Sequence, residues 1–291
     1  MNPVVVDISH YQNPTSFANA KKAGLWGVIH KATEGHSIVD DKYAKNRAAA
    51  TKAGLLWGAY HFFRPGRIED QVTFFLNNAM PQPGTLLCLD HEDEGCSVAD
   101  VETFLRLLDE YSPQLHVLYS GDLIKEQLGN QVHPYLQKNT RLWLAEYGPK
   151  SKVQATWDKY WLWQFTGDGD GPQPHSWAGI GDKIDISHFD GTYDELVDEW
   201  AMQRTGDTGI GSDIPPTVSP ALTKGDIVRW GQASLNFLGS DLLIDGNLGP
   251  KTDTALKQFQ FIASIPETGK FDQATVAMLV HKITDWSADR R

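Results

Sequence analysis

Cysteine is almost absent from this chain. Cys88 and Cys96 are the only two in 291 residues, too few for a disulfide framework. Cys88 lies inside an apolar run and reads as a buried thiol, and no bond between the two is expected. Long apolar runs are missing as well, so no segment is expected to insert in a membrane. The N-terminus, MNPVVVDISHYQ, has neither a basic n-region nor a long apolar h-region, so no signal peptide is expected and synthesis should be cytoplasmic. Positive charge is in short supply: 26 Lys and Arg against 37 Asp and Glu give 26 − 37 = −11. From residue 219 onward eight basic residues balance eight acidic ones, which puts the whole excess in the first three quarters. Nucleic acid is therefore not an expected partner, since phosphate binding needs clustered Lys and Arg. No glycine-rich phosphate fingerprint follows the first apolar segment, which argues against a nucleotide cofactor. The ten His include neither His-x-His nor His-Glu-x-x-His, so no metal site and no cofactor are expected.

Aromatic residues, by contrast, are plentiful, with ten Trp and nine Tyr. Their faces can stack on sugars, although core packing is the commoner use; Trp26, Trp57 and Trp161 are assigned to packing. Eight short segments rich in β-branched and aromatic residues punctuate the first 190 positions: VVVDIS (4–9), WGVIHKA (26–32), LWGAYHFF (56–63), TLLCLDHE (85–92), HVLYSG (116–121), RLWLAEY (141–147), YWLWQFT (160–166) and IDISHF (184–189). Several are near-continuous apolar runs, as in strands buried on both faces of a parallel sheet. Helical patterns lie between the first six, at 15–23, 40–53, 67–80, 97–111 and 122–138, with Ser97 as an N-cap and Gly24 and Gly54 as stops. The loops after the sixth and seventh segments, such as TGDGDGPQP, carry no helix. The order predicts an α/β fold, an irregular TIM-like barrel of eight strands and about five helices. An open doubly wound sheet is the alternative.

In such a barrel the chemistry sits at the C-terminal rim. Polar residues end the strand segments there: Asp7, Lys31, Tyr60, Asp90 with Glu92, Tyr119, Glu146 with Tyr147, Gln164 and Asp185. Strand alternation points Asp90 and Glu92 the same way and turns His91 away. Two carboxylates two residues apart repel, so one pKa should rise and leave a protonated acid beside an ionised neighbour. Glycoside hydrolysis needs such a pair. The plainer possibility is that Asp90–Glu94 begins a solvated loop, and Asp93 and Glu94 are read that way. His61 is expected to be a packed or hydrogen-bonded barrel residue.

These segments resemble, in order, the strands of the family 25 glycoside hydrolases, the Chalaropsis-type lysozymes. VVVDISHYQ, GVIHKATEG, GAYHFF, LDHE, LWLAEY, LWQFT and IDISHFDGT carry the resemblance across about residues 1–200. It implies a muramidase cleaving the β-1,4 bond between N-acetylmuramic acid and N-acetylglucosamine in peptidoglycan, with retention. Glu92 would be the general acid, Asp90 the carboxylate on the anomeric side, and Asp7 and Asp185 supporting acids. Whether Asp90 attacks or assists the substrate's acetamido group stays open. Ser187 stands where the family often has Asn. Tyr60, Trp143, Tyr147 and Gln164, at matched strand ends, are the candidate sugar contacts. Two other classes are weighed: a non-catalytic wall-binding protein, against which the intact acids argue, and a peptidoglycan amidase or peptidase.

Residues 203–219 are rich in Gly, Pro, Ser and Thr and read as a linker between a catalytic barrel (1–202) and a small domain (220–285). In that domain Gly246, Leu248, Gly249, Thr252 and Leu256 match Gly269, Phe271, Asp272, Thr275 and Leu279 at a constant offset of 23. Each copy predicts a turn followed by a short helix, and Leu256 and Phe259 fall on the core side. LIDGNLGPKTDTALKQFQ resembles the peptidoglycan-binding domain of wall hydrolases, a three-helix module. The expected partner is bacterial peptidoglycan and the expected state a monomer. Without a signal peptide the whole resembles a phage endolysin, released to act on the wall by other means.

Overall fold

Eight strands close on one another in the computed structural model. It describes residues 4–202, apart from 83 and 113, and within 224–282 all but 241, 264, 273, 274, 277, 280 and 281. The contacts divide the chain into two units, Met1–Asp207 and Thr208–Arg291. The expected linker, 203–219, lies outside the described residues.

The barrel strands are β1 (Val4–Ile8), β2 (Leu25–Glu34), β3 (Leu56–Phe62), β4 (Leu86–Asp90), β5 (His116–Ser120), β6 (Thr140–Ala145), β7 (Leu162–Thr166) and β8 (Asp185–His188). Neighbours from β1 round to β7 pair in parallel in chain order, and β1 also pairs with β8, which closes the ring. The expectation of parallel strands fails at β8, which runs antiparallel to both β1 and β7. The link from β7 to β8 contains no helix, only a tight turn and the two-residue strands Ser176–Trp177 and Gly181–Asp182. Without a helical crossover the chain need not return to the far end of the barrel before starting β8. This reversal decides where Asp185 lies: at the first position of a parallel strand it would face the opposite rim, whereas here it pairs with Asp7.

Alternation sorts the side chains of each strand. Val6, Val28, Ala59, Leu87, Leu118, Leu142 and Ile186 face outward into a core shared with the helices. Val5, Ile29, Cys88, Val117, Trp143 and Leu162 fill the barrel interior. The outer layer holds α1 (Phe17–Lys22), α2 (Tyr43–Lys52), α3 (Ile68–Ala79), α4 (Val98–Tyr111), α5 (Asp122–Leu128), α6 (Pro134–Asn139) and α7 (Tyr193–Trp200). Ser97 caps α4 through a reciprocal pair with Asp100. The single helix expected over 122–138 is two, broken where Gly129 takes φ +56°. Helix α7 was not expected, although Thr192 and Glu195 form a second capping box. Trp200 at its end plugs the N-terminal mouth of the barrel, donating its indole N–H to Trp57 O at 2.9 Å. Gly27 has to be glycine beneath that ring, because a Cβ there would sit 2.8 Å from it. Cys88 and Cys96 are buried free thiols.

The second unit contains α8 (Lys224–Phe237), α9 (Pro250–Ile262) and helical residues at Thr275–Val276, Met278–Leu279 and Lys282. Leu235, Leu256, Phe259 and Leu279 form its core. Two buried glutamines organise the repeat. Gln232 accepts from Gly246 N at 3.0 Å and donates to Thr252 Oγ1 at 3.1 Å; Gln260 accepts from Gly269 N at 2.9 Å and donates to Thr275 Oγ1 at 2.8 Å.

Among the described residues no helix is long and apolar enough to cross a membrane.

Candidate functional site

The open rim encloses a cavity of about 780 Å3, lined by residues from seven of the eight barrel strands and the loops beyond them. Asp7, Asp90, Glu92 and Asp185 all line it. Asp90 is the last residue of β4 and only 5% exposed. Glu92, one step into the loop, is reached by solvent in the groove although protein surrounds it on most sides. Both carboxyls line the same cavity, two residues apart in the chain. His91 points outward as alternation requires, and its Nε2 lies 3.0 Å from Gln127 Oε1 on α5.

Electrostatics follow from this crowding. Burial, then the neighbouring Glu92 and Asp7 charges, push Asp90 well above the usual carboxylate range. Burial and the Asp185 charge do the same to Asp7. Asp185 is raised to about 7, by burial and then by Asp168. Glu92 is also raised, first by loss of water and next by Asp168, against the opposing effects of Asp90 and Lys31. Both members of the Asp90–Glu92 pair are therefore biased toward the protonated form. Lys31 is the cation that lowers both members of the pair, and it is itself tied to Glu34. Arg64 bridges Glu34 to Asp93, with contacts of 2.7 and 2.8 Å. Asp93 is thus not the solvated loop residue expected but a strut that fixes the segment after Asp90.

The candidate sugar contacts divide. Tyr60, half-buried, and Tyr147, 44% exposed, line the cavity. Trp143 forms its floor at 2% exposure, with the indole N–H committed to Ser187 Oγ at 2.9 Å. Gln164 is misplaced by the sequence reading. It is 1% exposed, donates to Asp7 Oδ2 at 2.9 Å and accepts from Tyr119 Oη at 2.9 Å, so it stands behind the groove and orients Asp7. His61 is buried between Thr33 and Gln71 and held neutral, its pKa pushed down to about 4 by burial. Among the described residues no group of three His, Cys, Asp or Glu is disposed to hold a metal ion.

Sequence reasoning missed most of the cavity's loop residues, Tyr11 and Asp168 among them. Neither lies on a strand, so alternation says nothing about either. The signal for Asp168 was its place between two glycines in the GDGDG run, where a side chain is out of character.

Comparison with known proteins agrees with this architecture. A family model described as "Glycosyl hydrolases family 25" matches residues 6–173, and one described as "Putative peptidoglycan binding domain" matches residues 224–279. An autolytic lysozyme of Clostridium acetobutylicum is 28% identical over 273 residues, which is 89% of this chain and 73% of that protein. A family GH25 lysozyme from Aspergillus fumigatus superposes with a TM-score of 0.60 at 26% identity, covering 69% of this chain and all of that one. A muramidase from Trichobolus zukalii gives 0.59 at 28% identity, over 68% and 99% of the two chains. The family match spans more than half of the 291 residues and ends beyond seven of the eight barrel strands, so this chain belongs to glycosyl hydrolases family 25.

Proposed function

We propose that the protein is a muramidase of the bacterial cell wall. It cleaves the β-1,4 bond between N-acetylmuramic acid and N-acetylglucosamine with retention, and its second unit holds it on peptidoglycan. The observation that carries this is the Asp90–Glu92 pair, one carboxyl buried at a strand end and the other exposed two residues on, both lining one open groove. Inverting hydrolysis needs the two carboxyls roughly 6.5–9.5 Å apart to admit a water between them. Assistance by the substrate's own acetamido group needs no such gap and gives retention.

Glu92 reaches solvent and is placed to protonate the leaving glycosidic oxygen as the C1–O bond breaks. Asp90 lies deeper, with Oδ1 buried and without a hydrogen-bond partner among the described residues. A buried acceptor of this kind is costly until something donates to it. The acetamido N–H of the muramyl residue is the natural donor, which makes the acetamido oxygen the attacking group and Asp90 its assistant. Glu92, now ionised, then takes a proton from the water that reopens the intermediate. Asp7 and Asp185 support the positive charge that develops on the sugar. Tethering a wall-binding unit to the barrel raises the local concentration of an insoluble substrate.

The test is mass analysis of purified sacculi after digestion by the full chain and by Glu92→Gln. New reducing N-acetylmuramic acid ends from the first and none from the second are expected. New free amines would make the protein an amidase or peptidase, and binding without either product would make it a wall-binding protein.

A further inference from the structure

We propose that Asp168 is a positioning residue for the hydrolysis, a fifth carboxylate fixed in the groove that Glu92 also lines, whose charge holds the catalytic proton on Glu92 until the substrate takes it. The inference rests on the assignment of Glu92 as general acid.

The turn after β7 is built to hold this side chain. Gly167 and Asp170 bond each other's backbone, at 3.2 and 2.7 Å, and Thr166 Oγ1 donates to Asp170 O at 2.6 Å. Gly169 and Gly171 take φ of +93° and +87°, values that suit glycine. Asp168 takes φ +52°, where an L residue is uncommon and a third glycine would be easier. Its N–H donates to Asp185 Oδ1 at 3.1 Å, which fastens the turn to one of the site's own acids. The side chain lines the cavity, and among the described residues its carboxylate makes no hydrogen bond or ion pair. A strained position that keeps an unpaired acid beside four other acids works against stability, and strain of this kind gathers at functional sites.

Charged and titratable groups face Glu92 from every side of the rim: Asp7 on β1, Lys31 on β2, Asp90 on β4, Tyr119 on β5, Tyr147 beyond β6, Asp168 beyond β7 and Asp185 on β8. Lys31 and the neighbouring Asp90 favour the ionised acid; Asp168 opposes them. As sugar fills the groove and displaces water, the Asp168 charge acts through a less screening medium. Holding the proton on Glu92 until that moment is what a general acid requires.

The experiment compares the full chain with Asp168→Asn and Asp168→Gly. Asn tolerates the same backbone conformation and removes only the charge; Gly removes charge and strain together. Initial rates of reducing-end release from purified sacculi are followed against pH at low salt, and the Glu92 side-chain carboxyl is titrated by 13C NMR. Both variants should move the alkaline limb and the Glu92 titration downward by about 0.5 pH unit, the size of a Coulomb interaction across several ångströms of mostly aqueous groove. Added salt should shrink the difference. An unchanged Glu92 titration in Asp168→Asn overturns the inference, even if turnover falls. If Glu92→Gln is inactive in that case, the assignment of the general acid stands alone; if Glu92→Gln hydrolyses sacculi normally, both fall.

Discussion

Asp7 and Asp185 are direct cross-strand partners on the antiparallel pair β1 and β8. Like charges set opposite each other are destabilising, and both carboxyls are raised, Asp185 to about 7. The sign of the consequence is fixed. Between the ordinary carboxylate pKa near 4 and about 7 this pair binds more protons in the folded barrel than in the unfolded chain, so its contribution to stability falls as pH rises through that window. Buried His30 and His61, both lowered to about 4, act in the opposite sense, so the pair's share is read by difference: the Tm gain of Asp185→Asn over the wild type, followed by near-UV circular dichroism, should be larger at pH 8 than at pH 5. Eight of the ten Trp precede residue 203, so the signal reports mainly on this unit. Each ~1 kcal/mol lost lowers Tm by about 2–4 °C in a domain of this size. A gain of the same size at both pH values would show that these acids are ionised without cost.

The two members of the carboxyl pair should fail differently. Removing a general acid costs about 10²–10⁴-fold in rate, so Glu92→Gln should lose that much on sacculi while still sedimenting with them. An aryl glycoside whose leaving group needs no proton should recover most of the rate in Glu92→Gln. Asp90→Asn should gain nothing from the same substrate, because its role lies at the anomeric carbon and the acetamido group. Equal rescue of both variants would mean that the roles are not divided in this way.

How much of this was legible in the sequence depends on whether a residue sits on a regular strand. Asp7, Asp90, Tyr60 and Trp143 do, and a period of two fixes which way each points. Gln164 does too, but the same periodicity cannot separate a groove residue from one buried a layer behind it; only the bonds to Asp7 and Tyr119 make that distinction. Asp185 was placed on the right rim while the strands were taken as parallel. The missing crossover helix before β8 was the available clue to its reversed direction. Asp168 and Asp93 depend on loop geometry, for which the sequence offers composition and no period. In the second unit the offset of 23 exposed the two turns, but Gln232 and Gln260, which hold them, are 28 apart and fall outside that register.

Gly167 is where the loop after β7 presses closest to the site. A Cβ at that position would overlap Tyr147 Oη and Asp185 Oδ1. Gly167→Ala should therefore displace Tyr147 or the whole turn and lower turnover by about tenfold or more, since small misplacements at a reacting centre are costly. Stability should change little, because both neighbours can move toward the open groove. The pair of measurements is the hydrolysis rate and Tm. A large fall in Tm with normal specific activity in the folded fraction would count against this account.

The twin glutamines of the second unit invite a symmetrical test. Gln232 and Gln260 are buried, and each amide serves a glycine N–H, a threonine hydroxyl and a backbone carbonyl, Asn247 O and Lys270 O respectively, both at 3.1 Å; Gln232 also donates to Asp245 Oδ1 and Gln260 to Thr268 Oγ1. Replacing either by Leu removes those partners and leaves backbone groups of the turn unsatisfied, at a cost of about 1–3 kcal/mol. In the full chain, hydrogen exchange over residues 224–282 should speed up by roughly 5- to 150-fold for either variant, the same free energy expressed as an opening equilibrium. Exchange in the barrel and turnover of a soluble oligosaccharide should stay as in the wild type, while retention on sacculi falls in step with the loss of protection. If one glutamine proves dispensable while the other does not, the repeat is a likeness of sequence and hydrogen bonding without equal structural weight in its two halves.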